Sequence, residues 1–582
     1  MSPTDHSSAR APLWRETEFW LLMLLTALVY VPRLADQTIR GEESRWATVA
    51  QQMLATGDYL IPRQQGAPFP DRPPLHCWTI AACMSVFGPT SLWGIRLPSV
   101  LAMFGTGTVI YAYSRRFLAP LGALAAGCAF ATMAQTMQLG RLAESDSLFT
   151  FLLTSSLLVW HSLYESGRSR LLLWSVGFAL AALATLAKGP QAPVYFGGVT
   201  AVYLLLVQRD WRTLLSWQYL CGGALFVAIL GAWQIPFAMA VGGQGVLGVY
   251  TQEGHLIHRF TSSHLGGVVR HVATYPFKLL LATLPWSLLL PAYLGSWIYR
   301  TLGAARRPAA FVATCLAVTF PTCWFAPDAV TRYYLSLFPC LAILVGIVVQ
   351  RCAESSGATW WMASWRRYVS GSIALIGVTP LTLIVIAGWG QQLPRGVAQP
   401  LAWLALIVVA AGIAVAALVI ARRGADQPRL QRQAVLAVAG FCGLIYVGVV
   451  LNVVVAQSTN PAGDIAQLKQ QLPPHAQLTS LGPAHHMFNF YFAEPVRLVP
   501  RLLPAERGHE VGEYFCFAQN RDEPQPIEIP FDWEPVTTIS CDRTRRPEPV
   551  DMLVIGRRKP PLTAARAIPQ RETTSEQPTV SP

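Results

Sequence analysis

Charge is what this sequence has least of. Asp, Glu, Lys and Arg make up 13% of its 582 residues, where a soluble protein of ordinary composition carries about 25%. Hydrophobic residues reach 53% and mean hydropathy is +0.38, so a soluble globular class is excluded. Metal-type cysteine spacing is missing too. The 11 cysteines form no CxxC or Cys/His pattern, and most, such as Cys128, Cys221, Cys315 and Cys442, sit inside apolar runs. Only Cys516 and Cys541 lie in a polar stretch, where a disulfide would depend on their separation. No internal repeat is evident, which argues against a transporter built from repeated halves. The first apolar run, about 19–31, has no small-residue cleavage site and reads as a retained helix rather than a cleaved signal. The net charge of +13 comes mostly from basic pairs flanking apolar runs, which is membrane-protein patterning and not a nucleic-acid stripe.

What is present is a series of apolar segments long enough for a bilayer core of about 30 Å, which takes roughly 20 residues. We read spans near 17–34, 95–115, 118–138, 147–165, 171–187, 190–208, 217–240, 275–299, 309–326, 333–350, 368–389, 400–421 and 434–456, about thirteen in all. Alternating them from a cytoplasmic N-terminus puts the clusters at Arg115–Arg116, Arg168–Arg170, Arg209–Arg212, Arg300–Arg307, Arg351–Arg367 and Arg422–Arg432 on the inside. The agreement holds only if the apolar stretch 74–88 does not cross. The C-terminus is then external. The opposite face holds Asp36, Glu42, Glu43, Asp58, Asp71, Glu144, Asp146, Glu253 and Asp328, and chemistry is expected there.

The first external loop is the richest segment. From Glu43 onward, apolar residues recur at helical spacing (Trp46, Val49, Ala50, Met53, Leu54), which predicts an amphipathic helix on the membrane surface. Glu42 and Glu43 open it, either as acids favoured by the helix dipole or as functional carboxylates. Asp71 and Arg72 precede Pro73 and Pro74, which suit a first helical turn; they form a cap and surface ion pair or a second functional pair. Arg141, Glu144 and Asp146 lie together at a membrane boundary, where three charges are costly unless they face a cavity or a partner. Lys188 interrupts two apolar helices and either snorkels or binds an anion. Arg332 starts another helix. Cations that converge on one cavity could hold a phosphate.

In order, these motifs resemble the polyprenyl-phosphate-sugar glycosyltransferases of the GT-C type, most of all bacterial aminoarabinose transferases and more distantly protein O-mannosyltransferases. The likeness runs through Glu42-Glu43-x-Arg45-Trp46-Ala47, Gly57-Asp58-Tyr59, Phe69-x-Asp71-Arg72-Pro73-Pro74, Arg141-Leu142-Ala143-x-x-Asp146, Lys188-Gly189-Pro190, Leu284-Pro285-Trp286-Ser287 and Arg332-Tyr333-Tyr334-Leu335, and it touches Tyr491–Val499. It implies a first loop folded as two juxtamembrane helices above a cavity. It makes Glu42 the general base, where the family usually has Asp, with Asp36 as a second candidate. Asp146 becomes a second active-site carboxylate, and Lys188 and Arg332 ligands of the donor phosphate. Arg72 and Arg141 are further phosphate candidates, while Glu43, Arg45 and Asp71 belong to the active-site loop. Asp71 with Arg72 replaces the family's Glu with Lys. Some relatives hold a divalent metal ion, for which Asp71 and His271 are the residues to consider here.

The expected protein is therefore an all-α polytopic membrane enzyme over residues 1–456, with a small external α/β domain over 457–558 and a disordered tail over 559–582. In the tail domain, Asp464–Gln471 suggests a helix, and Arg497–Val499 and Asp551–Ile555 suggest strands. The expected location is the cell inner membrane. The expected donor is a sugar on an undecaprenyl-type phosphate. Lipid A, a protein hydroxyl and a glycan stand as acceptors, with no nucleic acid involved. The rival readings are a flippase of lipid-linked sugars, a ligase that shares the donor but lacks the first-loop pattern, and a non-catalytic scaffold.

Overall fold

The computed structural model describes residues 12–69, 72–251, 265–327, 329–354, 363, 367–368 and 428–559, the last range without 475, 503, 523–527 and 545–546. The chain divides into two compact units, Met1–Asn460 and Pro461–Pro582.

The first unit is helical. Its elements are α1 Thr17–Tyr30, α2 Glu43–Thr56, α3 Leu75–Phe87, α4 Leu92–Ser114, α5 Pro120–Thr132, α6 Ala134–Leu139, α7 Ser145–Glu165, α8 Arg170–Lys188, α9 Gln191–Val202, α10 Trp211–Leu214 and α11 Trp217–Thr251. After these come α12 Leu265–Ala282, α13 Ser296–Thr301, α14 Arg306–Trp324, α15 Phe338–Glu354, α16 Pro428–Ile445 and α17 Leu451–Ala456. A two-residue hairpin, β1 Arg63–Gln64 with β2 Ala67–Pro68, lies between α2 and α3.

Among the described residues, seven helices are long and apolar enough to cross a membrane: Leu92–Ser114, Ser145–Glu165, Arg170–Lys188, Gln191–Gln208, Trp217–Gly242, Thr331–Glu354 and Gln431–Val455. This is a multi-pass membrane protein. The expected spans 368–389 and 400–421 lie outside the described residues. Three apolar helices are shorter: Thr17–Tyr30, Leu75–Phe87 and Pro120–Thr132. At 1.5 Å per residue, the 13 residues of α3 fall short of a bilayer core, and α3 packs against α2, α4 and α8.

Two expected spans take a different form. The stretch 118–138 is broken at Met133, whose backbone is extended (ψ 137°), giving α5 and α6. The stretch 275–299 leaves α-helix at Ala282 and continues as a 3₁₀ segment, Trp286–Leu294. Pro285 and Pro291 lie there; proline lacks the N–H that the α-helical ladder needs and clashes with the preceding turn.

Aromatic packing joins α7, α8, α9 and α14. The Trp160 ring lies 5.5 Å from Trp174 and 6.0 Å from Phe311. Beside it, His161 is pinned between the hydroxyls of Tyr113 and Tyr203, 2.9 Å from each. By contrast α11 turns Leu220, Val227, Ile235 and Met239 outward, as a helix facing lipid does.

The second unit contains α18 Ala462–Gln471, β3 Leu478–Leu481, α19 His486–Phe492, β4 Arg497–Val499, β5 Tyr514–Asn520, β6 Trp533–Ser540 and β7 Asp551–Arg558. The sheet order is β4-β3-β5-β7-β6. Strands β4, β3 and β5 run parallel, and β5, β7 and β6 antiparallel. One face packs Ile465, Leu468, Phe488 and Phe492 against Leu478, Cys516 and Ile555. The other face gathers Leu481, Phe515, Phe517 and Val554. Cys516 and Cys541 are free, buried thiols, each pushed up to about 12, mainly by burial.

Helices α5 and α15 pack closely at Gly346. A Cβ added at Gly346 of α15 would lie 2.5 Å from the Gly122 carbonyl oxygen and 2.8 Å from the Ala126 Cβ, both on α5. Backbone cannot yield as a side chain does, so Gly346→Val is expected to cost about 1–3 kcal/mol through overpacking. Thermal unfolding in detergent should show a lower midpoint. An unchanged midpoint would contradict this packing.

Candidate functional site

The site grows from one fully buried carboxylate. Glu43, the first residue of α2, is pinned by Arg96 of α4, with Nε to Oε1 at 2.8 Å and Nη2 to Oε2 at 2.9 Å. The backbone N–H groups of Ala143 and Arg40 donate to the same two oxygens, each at 2.8 Å. Arg96 also donates to the carbonyls of Leu34, Gln37 and Thr38, at 2.7, 2.7 and 3.0 Å. All five guanidinium N–H donors and the acceptor sites of the carboxylate are therefore occupied. Glu43 fixes the loop and is not available for chemistry.

Its neighbour Glu42 is less deeply buried. Its side chain lies 2.7 Å from Arg45 Nη1 and stays partly exposed. Its backbone N–H donates to Glu144 Oε1 at 3.0 Å. The preceding Gly41 has φ +58°, and a Cβ there would fall 2.4 Å from that same Oε1. Only glycine tolerates both the left-handed backbone and the closeness of the carboxylate.

Glu144 is buried, with Arg332 Nη1 3.7 Å away. Burial, helped by the nearby Asp146 charge and opposed by Arg332, raises its carboxyl from 4.5 to about 7. Two residues on, Asp146 of α7 makes a 2.6 Å ion pair with Lys188 at the end of α8. The Lys188 ammonium also lies 5.3 Å from the Phe149 ring and 5.4 Å from the Tyr333 ring. Arg72, just before α3, donates to the Lys188 carbonyl at 2.9 Å. His76 of α3 places Nε2 3.1 Å from the Ala143 carbonyl. Elements distant in the chain thus bring together Glu42, Glu144, Asp146, Arg72, Lys188 and Arg332.

Other expected residues lie elsewhere. Asp36 is half exposed and bonded to Arg33 at 2.6 Å. Arg141 is buried and spends its guanidinium on the carbonyls of Val29 and Pro32 at the end of α1, at 2.7 and 2.5 Å. His271 of α12 places Nε2 3.2 Å from the Cys323 carbonyl. Asp71 lies outside the described residues, among which no group of three metal-ligating side chains occurs.

The sequence assigns no role to two members of the site. Arg96 is a lone charge inside the apolar run Leu92–Ser114, and a charge in such a place needs a partner. That signal points to Glu43. Glu144 was visible as an acid between Arg141 and Asp146, but nothing in the sequence says that it holds the Glu42 backbone.

With this geometry in place, the chain can be compared with known proteins. Residues 71–235, which include Arg72, Glu144, Asp146 and Lys188, match the family model described as dolichyl-phosphate-mannose-protein mannosyltransferase. The chain is 32% identical over 350 residues to the undecaprenyl phosphate-alpha-4-amino-4-deoxy-L-arabinose arabinosyl transferase of Pseudomonas aeruginosa strain PAO1, covering 57% of this chain and 59% of that protein. It is 29% identical over 358 residues to the protein of the same name from Pseudomonas paraeruginosa, covering 59% and 61%. The matched stretch thus spans 59–61% of the length of these relatives. Among solved structures, ArnT from Cupriavidus metallidurans bound to undecaprenyl phosphate superposes with a TM-score of 0.69 at 18% identity, over 93% of this chain and 98% of that one. This last likeness is one of fold. Together these findings bear out the resemblance to the polyprenyl-phosphate-sugar glycosyltransferases of the GT-C type read from the motifs.

Two outcomes are expected at this site. Arg96→Met leaves Glu43 buried and uncompensated, which should cost about 3–5 kcal/mol and lower the melting midpoint sharply. Glu144 favours its protonated form when folded, because its carboxyl is raised to about 7 from 4.5. The stabilisation from this proton is full below the unfolded value and disappears as pH rises through about 7. Glu144→Gln imitates the protonated form. The difference in melting midpoint between Glu144→Gln and the parent should therefore grow in favour of the variant from pH about 5 to about 8. A difference that stays flat with pH would rule out this titration.

Proposed function

We propose that this protein transfers a sugar from a polyprenyl-phosphate donor to an acceptor hydroxyl at the external face of a cell inner membrane, with inversion at the anomeric carbon. The observation that carries the proposal is the meeting of Lys188 and Arg332 with Asp146 and Glu144, with Glu42 suspended from Glu144 by its backbone. Two cations drawn into a partly dry pocket suit a phosphate, and a neighbouring, partly exposed carboxylate suits a base. The names of the Pseudomonas relatives and the undecaprenyl phosphate bound to the Cupriavidus protein support this donor class.

The chemistry balances without a nucleotide. Glu42 takes the proton of the acceptor hydroxyl. The acceptor oxygen forms a bond to the anomeric carbon from the face opposite the phosphate. The carbon–oxygen bond to the phosphate breaks, and its electron pair leaves on the phosphate oxygen. A phosphodiester with one negative charge thereby becomes a phosphomonoester with a second charge developing. Lys188 and Arg332 stabilise that charge where it forms. Loss of one such donor typically lowers turnover about 10²–10³-fold. Asp146 holds Lys188 in place until the phosphate arrives, and Arg72 fixes the backbone at Lys188 through its carbonyl. Lipid A, a glycan and a protein hydroxyl all meet the chemical demand on the acceptor.

Purified protein in nanodiscs, given a synthetic polyprenyl-phosphate sugar and candidate acceptors, is expected to form a new glycoside and release the polyprenyl phosphate. Glu42→Gln should lower kcat about 10²–10⁴-fold, the usual contribution of a general base, with little change in KM for the donor. The paired variant Asp146→Asn with Lys188→Met, which leaves no uncompensated buried charge, should weaken donor use as well. Full turnover by Glu42→Gln would remove Glu42 as the base. Passage of the donor across proteoliposomes with no transfer would favour a flippase instead.

A further inference from the structure

The second unit carries a cavity of its own, of about 180 Å³. Sheet topology explains its position. Strands β3, β4 and β5 are parallel, and the chain leaves β3 for β4 on one flank while β5 lies on the other. In open sheets of this kind, ligands bind outside the carboxyl ends of the strands where connections diverge. The cavity lies there. His485 follows β3, Arg501 follows β4, Gln519 and Asn520 end β5, and Asp551 opens β7 opposite Asn520 in register.

Arg501 is the one arginine or lysine among the residues that line the cavity. Arg507, Arg521 and Arg557 of the same unit each sit against a glutamate. Arg501 has no carboxylate partner among the described residues. Its one hydrogen bond runs from Nη2 to the Ala518 carbonyl at a long 3.3 Å, and its Nε is buried without a partner. A buried donor left unmatched is costly and calls for a missing partner. Around it stand groups that recognise hydroxyls: the Gln519 and Asn520 amides and the Asp551 carboxylate, which already accepts from Asn520 Nδ2 at 3.1 Å.

We propose that this cavity binds a phosphorylated monosaccharide, with the phosphate on Arg501 and the ring hydroxyls on Gln519, Asn520 and Asp551. The guanidinium fork matches two phosphate oxygens. A lone phosphate would leave the amides and the acid unused, and an uncharged sugar would leave Arg501 unmatched. The small volume admits one headgroup and not a lipid chain. The ligand could arrive as a soluble sugar phosphate or as the headgroup of a phosphorylated saccharolipid, and the two share this chemistry.

Calorimetric titration of the full chain in nanodiscs tests the site without any donor present. Glucosamine 1-phosphate is expected to bind saturably and at least about tenfold more tightly than glucosamine or inorganic phosphate alone, as a charged hydrogen-bond pair implies. Arg501→Gln should weaken it by about tenfold or more, and Arg501→Lys by less. Gln519→Glu, at an exposed position, adds a charge that repels phosphate and should weaken the sugar phosphate more than glucosamine even if Arg501→Gln folds poorly. Repeating the titration with the phosphorylated saccharolipid in the nanodisc identifies the source. Equal binding by the parent, Arg501→Gln and Gln519→Glu, or no binding of any probe, would overturn the site. Because turnover is not read, sugar transfer without binding sinks this proposal alone, and binding without transfer sinks only the transferase.

Discussion

The Arg96–Glu43 pair is the constraint on which the site depends. Five donors of one guanidinium hold a carboxylate and three loop carbonyls at once. Glu43 in turn accepts from the backbones of Arg40 and Ala143. One buried pair therefore ties α4, the loop 34–43, the start of α2 and the turn before α7. A buried ion pair repays its desolvation only when its remaining valences are satisfied, and here they are. Glu42 stands one residue from this anchor, at the N-terminus of α2, with its side chain paired to Arg45.

A second layer of charge has fewer donors around each acid than the first. Lys188 and Arg332 lie against Asp146 and Glu144, but Arg332 is loosely held at 3.7 Å. Arg332 can leave Glu144 at less cost than Arg96 can leave Glu43, which would be stranded. The neighbouring acids Glu42 and Glu43 thus sit in different surroundings, one beside Arg45 and the other fully buried against Arg96. Glu144 is intermediate. It supports the Glu42 backbone and faces Arg332, and burial raises its carboxyl well above the usual carboxylate range.

Much of the site could be read in the sequence because its chemistry is colinear. The helix after Glu42, the charges of Arg141–Asp146 and the lone Lys188 were all visible as polar groups where apolar residues would be cheaper. What they do could not be read, because burial and direction are tertiary properties. Arg141 looked like a phosphate ligand but caps α1. Asp36 looked like a spare base but pairs with Arg33 on the surface. The helix expected over 464–471 and the strands over 497–499 and 551–555 correspond to α18, β4 and β7, since their patterns are local. The expected helix over 275–299 failed on Pro285 and Pro291, whose effect on the ladder outweighs hydropathy.

Side-by-side thermal unfolding of Glu43→Gln and Glu42→Gln in the same nanodiscs tests the division between anchor and chemistry most directly. Glu43→Gln should lower the midpoint markedly, because Arg96 loses its charged partner in a buried place. Glu42→Gln should lower it far less, because its side chain keeps some exposure to water and its one ion pair is with the partly exposed Arg45. Equal midpoints for the two variants, or a larger loss at Glu42, would contradict the account.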